Sequence, residues 1–303
     1  MKITIVGSSN TDMIIQVPRI PKPGETILGG VFNTAAGGKG ANQAVAAARA
    51  GGKVIFVARV GNDMFGEQAV EGFKRDNINV DYIITDPDAP SGVAEIFVAE
   101  DGENSIAVAS GANARLSPED VSAAEKAIAN ADVLVMQLES PLETVKAAAK
   151  LAQEHGVTVI LNPAPAQQLP DDLLKNISIL TPNESEAELL SGIFVKDEKT
   201  AELAANALRA RGVEIVIITM GASGVYIASD ELSGVQYGFK VNPVDTTAAG
   251  DVFNGALAVG LAQGQSLKDA VQFAQAAAAL SVTKLGAQPS APTAQQIREF
   301  LNL

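Results

Sequence analysis

The sequence predicts an α/β layered fold with a mostly parallel central sheet flanked by helices, and three observations carry that prediction. Short apolar runs rich in β-branched residues recur along the chain, amphipathic segments separate most of them, and aromatics make up only 4% of the residues while Ala, Val, Ile and Leu dominate. Runs of this length read as buried, parallel strands, and strand–helix alternation implies right-handed crossovers.

The strand candidates are Ile3–Gly7, Val54–Val60, Val133–Leu138, Val157–Leu161, Ile177–Leu180 and Ile215–Met220. Between them, Phe65, Ala69, Val70 and Phe73 fall on one helical face, as do Val145, Ala148, Ala149 and Ala152. Beyond Ala248 the pattern turns helical: Phe253, Leu257 and Leu261 repeat at four-residue spacing, and further helices are expected from about Leu267 to Thr283 and from Thr293 to Leu301. Two stretches break the rhythm. Residues 12–36 hold strand-like pieces, Met13–Val17 and Thr26–Phe32, around Pro18, Pro21 and Pro23. Residues 91–110 read as a hairpin, Val93–Ala99 and Ser105–Ala109, about a turn at Asp101–Gly102. Neither leaves room for a crossover helix, so the two are expected to pair into a small β-sheet inserted in one domain spanning 1–303. Its apolar face would call for cover by a ligand or a second subunit.

Composition narrows the chemistry. The chain of 303 residues, 47% hydrophobic, carries a net charge of −13, which argues against nucleic acid or anionic membrane as partner. Cysteine is absent, removing disulfides and thiolate chemistry, and the only histidine, His155, falls at a helix end. Acid–base work therefore rests on Asp, Glu or Lys. The N-terminus runs straight into a strand pattern with no signal peptide, and no apolar stretch approaches a membrane span, so a cytoplasmic location is expected.

Ligands of open α/β sheets bind beyond the carboxyl ends of the strands. Polar residues follow the predicted strands there: Asn10 and Asp12, Glu139, Asn162, then Asn183, Glu184 and Glu186, and the segment Gly221-Ala222-Ser223-Gly224. Each is explicable as a cap or turn residue, but together they suit hydroxyls and a cation. Two glycine-rich segments stand out. Gly37-Gly38-Lys39-Gly40-Ala41-Asn42 precedes a helix expected over Gln43–Ala50. It is neither a Walker A loop nor a dinucleotide fingerprint, and reads equally as a ligand loop or a plain helix start. The segment from Val244 to Asp251 runs into a helix expected over Val252–Gln263. Unpaired N–H groups at such a helix start can hold a phosphoryl group. Asp251 beside them is either a base for an attacking hydroxyl or a complement to the helix dipole.

In this order, the motifs Asn10-Thr11-Asp12, Gly37 to Gln43, Gln137-Leu138-Glu139-Ser140-Pro141, Asn162-Pro163-Ala164-Pro165-Ala166, Thr181-Pro182-Asn183-Glu184 and Asp245 to Asp251 resemble the ribokinase branch of the PfkB-type carbohydrate kinases, from the first strand to about Pro292. The resemblance implies transfer of the γ-phosphoryl group of ATP to the 5-hydroxyl of D-ribose. Asp251 would be the base, with the amides of Ala248, Ala249, Gly250 and Asp251 forming an anion hole. Asn10, Asp12, Gly38, Lys39, Gly40, Ala41, Asn42 and Glu139 would bind the sugar. Asn183 and Glu186 would help place Mg²⁺ and the phosphates, while Thr219, Met220, Gly221, Ala222, Ser223, Gly224 and Gln275 line the ATP site. Asp245, Thr247, Ser281, Lys284, Gly286 and Ser290 would form a potassium site, largely through carbonyl oxygens. The small sheet becomes a lid over the sugar and the seam of a homodimer.

This chain has Ala248 where the wider family usually has glycine, which implies that position 248 avoids a conformation only glycine tolerates. Among other acceptors, deoxyribose differs least from ribose. A nucleoside lacks an aromatic pocket in the lid, and a sugar acid would need basic residues, for which only Arg19 and Lys22 offer themselves. A nicotinamide dehydrogenase would need Gly-x-Gly-x-x-Gly, which Gly7-Ser8-Ser9-Asn10 does not supply. A non-catalytic sugar-binding protein would have little use for Asp251 beside an anion hole.

Overall fold

A computed structural model describes residues 1–302. Its main sheet has nine strands: β1 (Lys2–Val6), β4 (Lys53–Gly61), β5 (Asn79–Asp86), β8 (Val133–Met136), β9 (Thr158–Leu161), β10 (Ile179–Leu180), β11 (Ile215–Thr219), β12 (Val225–Ala228) and β13 (Ser233–Gln236). The order is β13-β12-β11-β10-β9-β8-β1-β4-β5, parallel from β5 to β11 and antiparallel at the β11–β12 and β12–β13 pairs.

Pleating sorts the strand residues into two cores. Ile3, Ile5, Val133, Val135, Ile160 and Ile217 enter one cluster with Ala44, Val45, Val252 and Phe253 of two helices, Lys39–Arg49 and Ala249–Ala262. Val6, Leu134, Met136, Leu161 and Ile218 enter the other with Val145, Ala148, Ala149 and Ala152 of the helix Leu142–Glu154. The side-chain period of two makes both faces apolar, which is why the strands read as continuous hydrophobic runs. Each fully buried Leu or Ile stabilises the layers by about 1.5–3 kcal/mol.

A second sheet, in order β3-β2-β6-β7, is built from β2 (Asn10–Val17), β3 (Val31–Gly37), β6 (Gly92–Ala99) and β7 (Asn104–Ala109). Ile14, Ile96 and Ile106 face one another across three strands, and Asp12, Ala94 and Val108 form the row two residues on, hence on the same face. Val31, Ile106 and Val108 are exposed.

Several expectations need correction. The piece expected over Thr26–Phe32 is displaced: Gly29 and Gly30 take positive φ of 94° and 110°, so pairing starts only at Val31. The run Ile177–Leu180 contributes only two ladder residues, since Ile177 closes the turn after the helix Asp171–Leu174. The strands β5, β12 and β13 were not anticipated. The helix expected from Gln43 begins at Lys39, and the one expected from Val252 begins at Ala249. His155 is the C-cap of the helix Leu142–Glu154, as its position suggested. No helix is long and apolar enough to cross a membrane among the described residues.

Candidate active site

The C-terminal ends of β1, β8, β9 and β10 are adjacent. They deliver Ser8, Ser9 and Asn10, then Gln137 and Glu139, then Asn162, then Thr181 and Asn183, to one edge. The helices Lys39–Arg49 and Ala249–Ala262 start over this edge.

These two helix starts differ in one decisive way. At the first, every early N–H is taken: Lys39 N–H donates to Glu139 Oε2 (2.9 Å), Gly40 N–H to Ser8 Oγ (3.3 Å), Ala41 N–H to Ser8 O (2.8 Å) and Asn42 N–H to Gly38 O (2.8 Å). A Cβ on Gly40 would lie 2.5 Å from the Ser8 nitrogen, so glycine there permits a close backbone approach. Gly40 and Ala41 therefore offer a ligand no backbone donor, contrary to the expectation that they hold the sugar. At the second helix, the N–H groups of Ala248, Gly250 and Asp251 have no acceptor among the described residues, while Ala249 N–H donates to Thr246 O (3.2 Å). The anion hole is thus narrower than expected by one amide. A helix N-terminus with free donors attracts a phosphoryl group.

Ala248, the N-cap, has φ 60° and ψ 14°, the left-handed region. This region favours glycine without requiring it, so the position avoids a glycine-only conformation as expected but not a strained one. The turn into the helix imposes it, and alanine bears it at a cost of about 1–2 kcal/mol.

Asp251 is buried, 6% exposed. Asn42 Nδ2 donates to its Oδ2 (3.0 Å) and Gln43 Nε2 to its Oδ1 (2.9 Å). Burial pushes its carboxyl above the ordinary range; Glu139 adds to this, while Lys39, Asn42 and Gln43 pull the other way. A carboxylate raised in this manner suits proton abstraction near neutral pH.

Around it lie the remaining sugar candidates. Glu139 Oε2 accepts the Ser8 hydroxyl (2.5 Å) as well as the Lys39 amide. Asp12 is raised to about 6, first by burial and then by the charge of Glu139. Asn10 Oδ1 accepts from Asn113 Nδ2 (2.7 Å), which leaves the Asn10 amide nitrogen as the group for a ligand. The carbonyl oxygen of the buried Asn42 side chain has no partner among the described residues, an acceptor suited to a hydroxyl. Gly38 has φ 88°, and a Cβ there would sit 2.7 Å from the Asn10 nitrogen.

Asn183 and Glu186 form a capping box: Glu186 N–H donates to Asn183 Oδ1 (2.8 Å) and Asn183 N–H to Glu186 Oε2 (2.9 Å). Burial raises the Glu186 carboxyl, and Asp251 adds to it against the Asn183 amide and Lys39. Among the described residues no three His, Asp or Glu side chains gather as a metal cage. That donor set fits a magnesium ion that arrives with nucleotide phosphates, not one held by protein alone.

Thr219 ends β11, Met220 leads into the exposed turn Gly221–Ser223, and Gly224 has φ 100° with its Cβ position 2.2 Å from Gln236 O. Gln275 Nε2 donates to that same Gln236 O (2.9 Å), while its buried Oε1 has no partner among the described residues. Asp245 accepts Thr247 N–H (2.9 Å) and Gly286 N–H (2.8 Å), tying two loops together. Partial burial works against it, yet these bonds hold its carboxyl below the ordinary value. The Ser281 and Ser290 hydroxyls donate to Ala278 O (2.8 Å) and Ala287 O (2.7 Å), and Lys284 N–H to Ser281 O (3.0 Å). With one carboxylate and otherwise carbonyl oxygens, the loop fits a weakly charged cation.

Sequence reasoning missed Ser8, Gln43 and Asn113. Gln43 lies inside a motif singled out above, and Ser8 follows the first strand, so both carried a positional signal. Asn113 carried none: it sits in the turn Gly111–Arg115, and only the fold brings it to Ser9 and Asn10.

A buried carboxylate beside free helix-terminal amides, ringed by hydroxyl partners, is the site of a kinase acting on an alcohol. The chain belongs to the pfkB family of carbohydrate kinases, whose family model matches residues 1–294. It is 50% identical over 299 residues to a ribokinase of Haemophilus influenzae, covering 99% of this chain and 98% of that one. It is 39% identical over 305 residues to a deoxyribokinase of Salmonella typhi, covering 100% and 99%. Among solved structures it is similar to Arabidopsis thaliana ribokinase complexed with ribose and ATP, with a TM-score of 0.93, 33% identity and coverage of 100% and 99%.

Proposed function

We propose that this chain phosphorylates D-ribose at its 5-hydroxyl with ATP, giving ribose 5-phosphate and ADP. The observation that carries the reading is Asp251, buried against the free amides of Gly250 and its own N–H. The Asp251 carboxylate takes the hydroxyl proton as the sugar oxygen attacks the γ-phosphorus. The new O–P bond forms, the bond from the γ-phosphorus to the β–γ bridging oxygen breaks, and ADP leaves. The amides of Ala248, Gly250 and Asp251 hold the charge on the transferring group.

Asn10, Asp12, Gly38, Lys39, Asn42 and Glu139 hold the sugar. The residues from Thr219 to Gly224 and Gln275 receive the nucleotide. Asn183 and Glu186 would help place the magnesium ion that arrives with ATP, which would supply neutralisation of phosphate charge. Asp245, Thr247, Ser281, Lys284, Gly286 and Ser290 would hold a potassium ion, largely through carbonyl oxygens, which when bound would steady the loop that leads into the anion hole. The small sheet, residues 12–36 and 91–110, acts as lid within a single kinase domain. Its exposed Val31, Ile106 and Val108 support pairing with a second lid in a homodimer. Work in the cytoplasm, where ATP is supplied, is part of this reading.

Ribose is favoured over deoxyribose by the concentration of hydroxyl partners, because a site built to bond a hydroxyl penalises its loss. ADP release with ribose, deoxyribose, fructose and adenosine, in potassium and in sodium buffer, tests the reading. Preference for ribose with stimulation by potassium is expected. Turnover on deoxyribose equal to that on ribose would overturn the assignment of the acceptor, and equal rates in both buffers that of the cation. Light scattering checks the dimer.

A further inference from the structure

Gln43 is wholly buried and is bonded in three directions. Its Nε2 donates to Asp251 Oδ1 (2.9 Å) and to Asn162 Oδ1 (3.2 Å), while its Oε1 accepts from Gln137 Nε2 (2.6 Å). Both amide hydrogens and the amide oxygen are thereby committed. A flipped amide would set oxygen against the Asp251 carboxylate and nitrogen against the Gln137 nitrogen, so only one orientation satisfies the group. Gln137 Oε1 packs against Gly7, just past the end of β1, where an added Cβ would lie 2.1 Å away, and it has no hydrogen-bond partner among the described residues, so the bond to Gln43 is the one that Gln137 makes through its amide. From Asn162 the network continues through Thr181 O (3.3 Å), the Thr181 hydroxyl to Asn254 Oδ1 (2.7 Å), and Asn254 Nδ2 to Gly250 O (2.8 Å). The ring thus closes on the helix turn that carries Asp251 itself.

We infer that Gln43, locked by Gln137, is the positioning residue of the base: it fixes the Asp251 carboxylate in one rotamer and favours its ionised form. The inference rests on Asp251 being the base. Gln43 is wholly buried and its side chain bonds only to Asp251, Asn162 and Gln137, so it acts through Asp251. Other charges face that carboxylate: Lys39 from the same helix as Gln43, Glu139 after β8, and Glu186 on the helix Glu184–Ser191. None of them is altered by a change at position 43, so the effect of the lost donor is separable from theirs.

The test uses the full-length protein with ribose and Mg-ATP, comparing Q43M, Q43E, Q137M, D251N and the double variant Q43M/D251N. Q43M is expected to lower kcat about 10- to 100-fold, with KM for ribose and ATP within about threefold, because a small misplacement of a reacting group is costly while binding contacts remain. The acidic limb of its pH profile should move upward by about one unit, since a hydrogen bond to the charged form is lost. Q43E, nearly isosteric, guards against a folding failure of Q43M and should move the limb further. Q137M should show the same changes in weaker form. In the D251N background, Q43M should cost no further activity. An unmoved acidic limb, or a full additional loss in the double variant, would overturn the positioning role. Near-normal turnover of D251N would instead overturn the base assignment itself, so the two failures are told apart.

Discussion

Glu139 caps the helix that starts at Lys39: its Oε2 accepts the Lys39 amide at 2.9 Å across 100 residues of sequence. The N-cap, Gly38, has no side chain for the task. One carboxylate thus supports the loop and, in the proposed site, would also bind the sugar. Glu139→Gln is expected to raise KM for ribose about 10- to 100-fold, the worth of a charged hydrogen bond, with KM for ATP within about twofold. Glu139→Ala should also lose about 1 kcal/mol of stability through the missing cap. Steady-state kinetics and urea unfolding read the two effects.

Asp12 gives the sugar site a pH dependence. Its carboxyl is raised to about 6, so it is ionised above that pH and takes up a proton below it. A protonated carboxyl loses acceptor capacity for sugar hydroxyls. KM for ribose is therefore expected to rise as pH falls from about 7 to 5, and Asp12→Asn should give a high KM that no longer varies over that range. The KM readout keeps this effect apart from any change in kcat that comes from Asp251.

The left-handed alanine at the helix start makes a stability prediction. Ala248→Gly relieves about 1–2 kcal/mol of backbone strain and gives back about 0.5–1 kcal/mol in chain entropy. A net gain of about 0.5 kcal/mol in urea unfolding, with kcat within about twofold, is expected.

Gly255 sets the spacing of the two site helices. A Cβ there would lie 2.7 Å from Gln43 O and 2.8 Å from the Ala46 Cβ. Gly255→Ala should cost about 1–3 kcal/mol by overpacking and lower kcat by about 100-fold as Asp251 moves from its donors. Thermal unfolding and kinetics on the same preparation check both.

The parallel core was legible because its strands are buried on both faces and so spell unbroken apolar runs. β5 escaped notice because it sits at an edge and its apolar residues, Val80 and Tyr82 to Ile84, are interrupted by Asp81 and flanked by Asn79, Thr85 and Asp86. β12 and β13 are only four residues each and follow β11 with no α-helix between them, so the strand–helix rhythm did not mark them. In the site, the carboxylates and glycines were readable from position after a strand or before a helix. What sequence could not reveal was which amides remain free. Ser8 occupies those of Gly40 and Ala41, and nothing in a string of letters says that the start of one helix is closed and the other open. Likewise Gly38 and Ala248 both take positive φ, yet only one of them is glycine.

The contacts of Asn42 and Gln43 with Asp251 span 209 and 208 residues. During synthesis, the part of the helix Lys39–Arg49 that meets the helix Ala249–Ala262, at Ala46 and Ala47, must wait for that helix to leave the ribosome before it is covered. The nascent chain therefore carries an unshielded surface through most of translation, a period when sticking to other chains is the main hazard. A chain cut short before residue 251 lacks the proposed base altogether, so a premature stop would leave no partial enzyme.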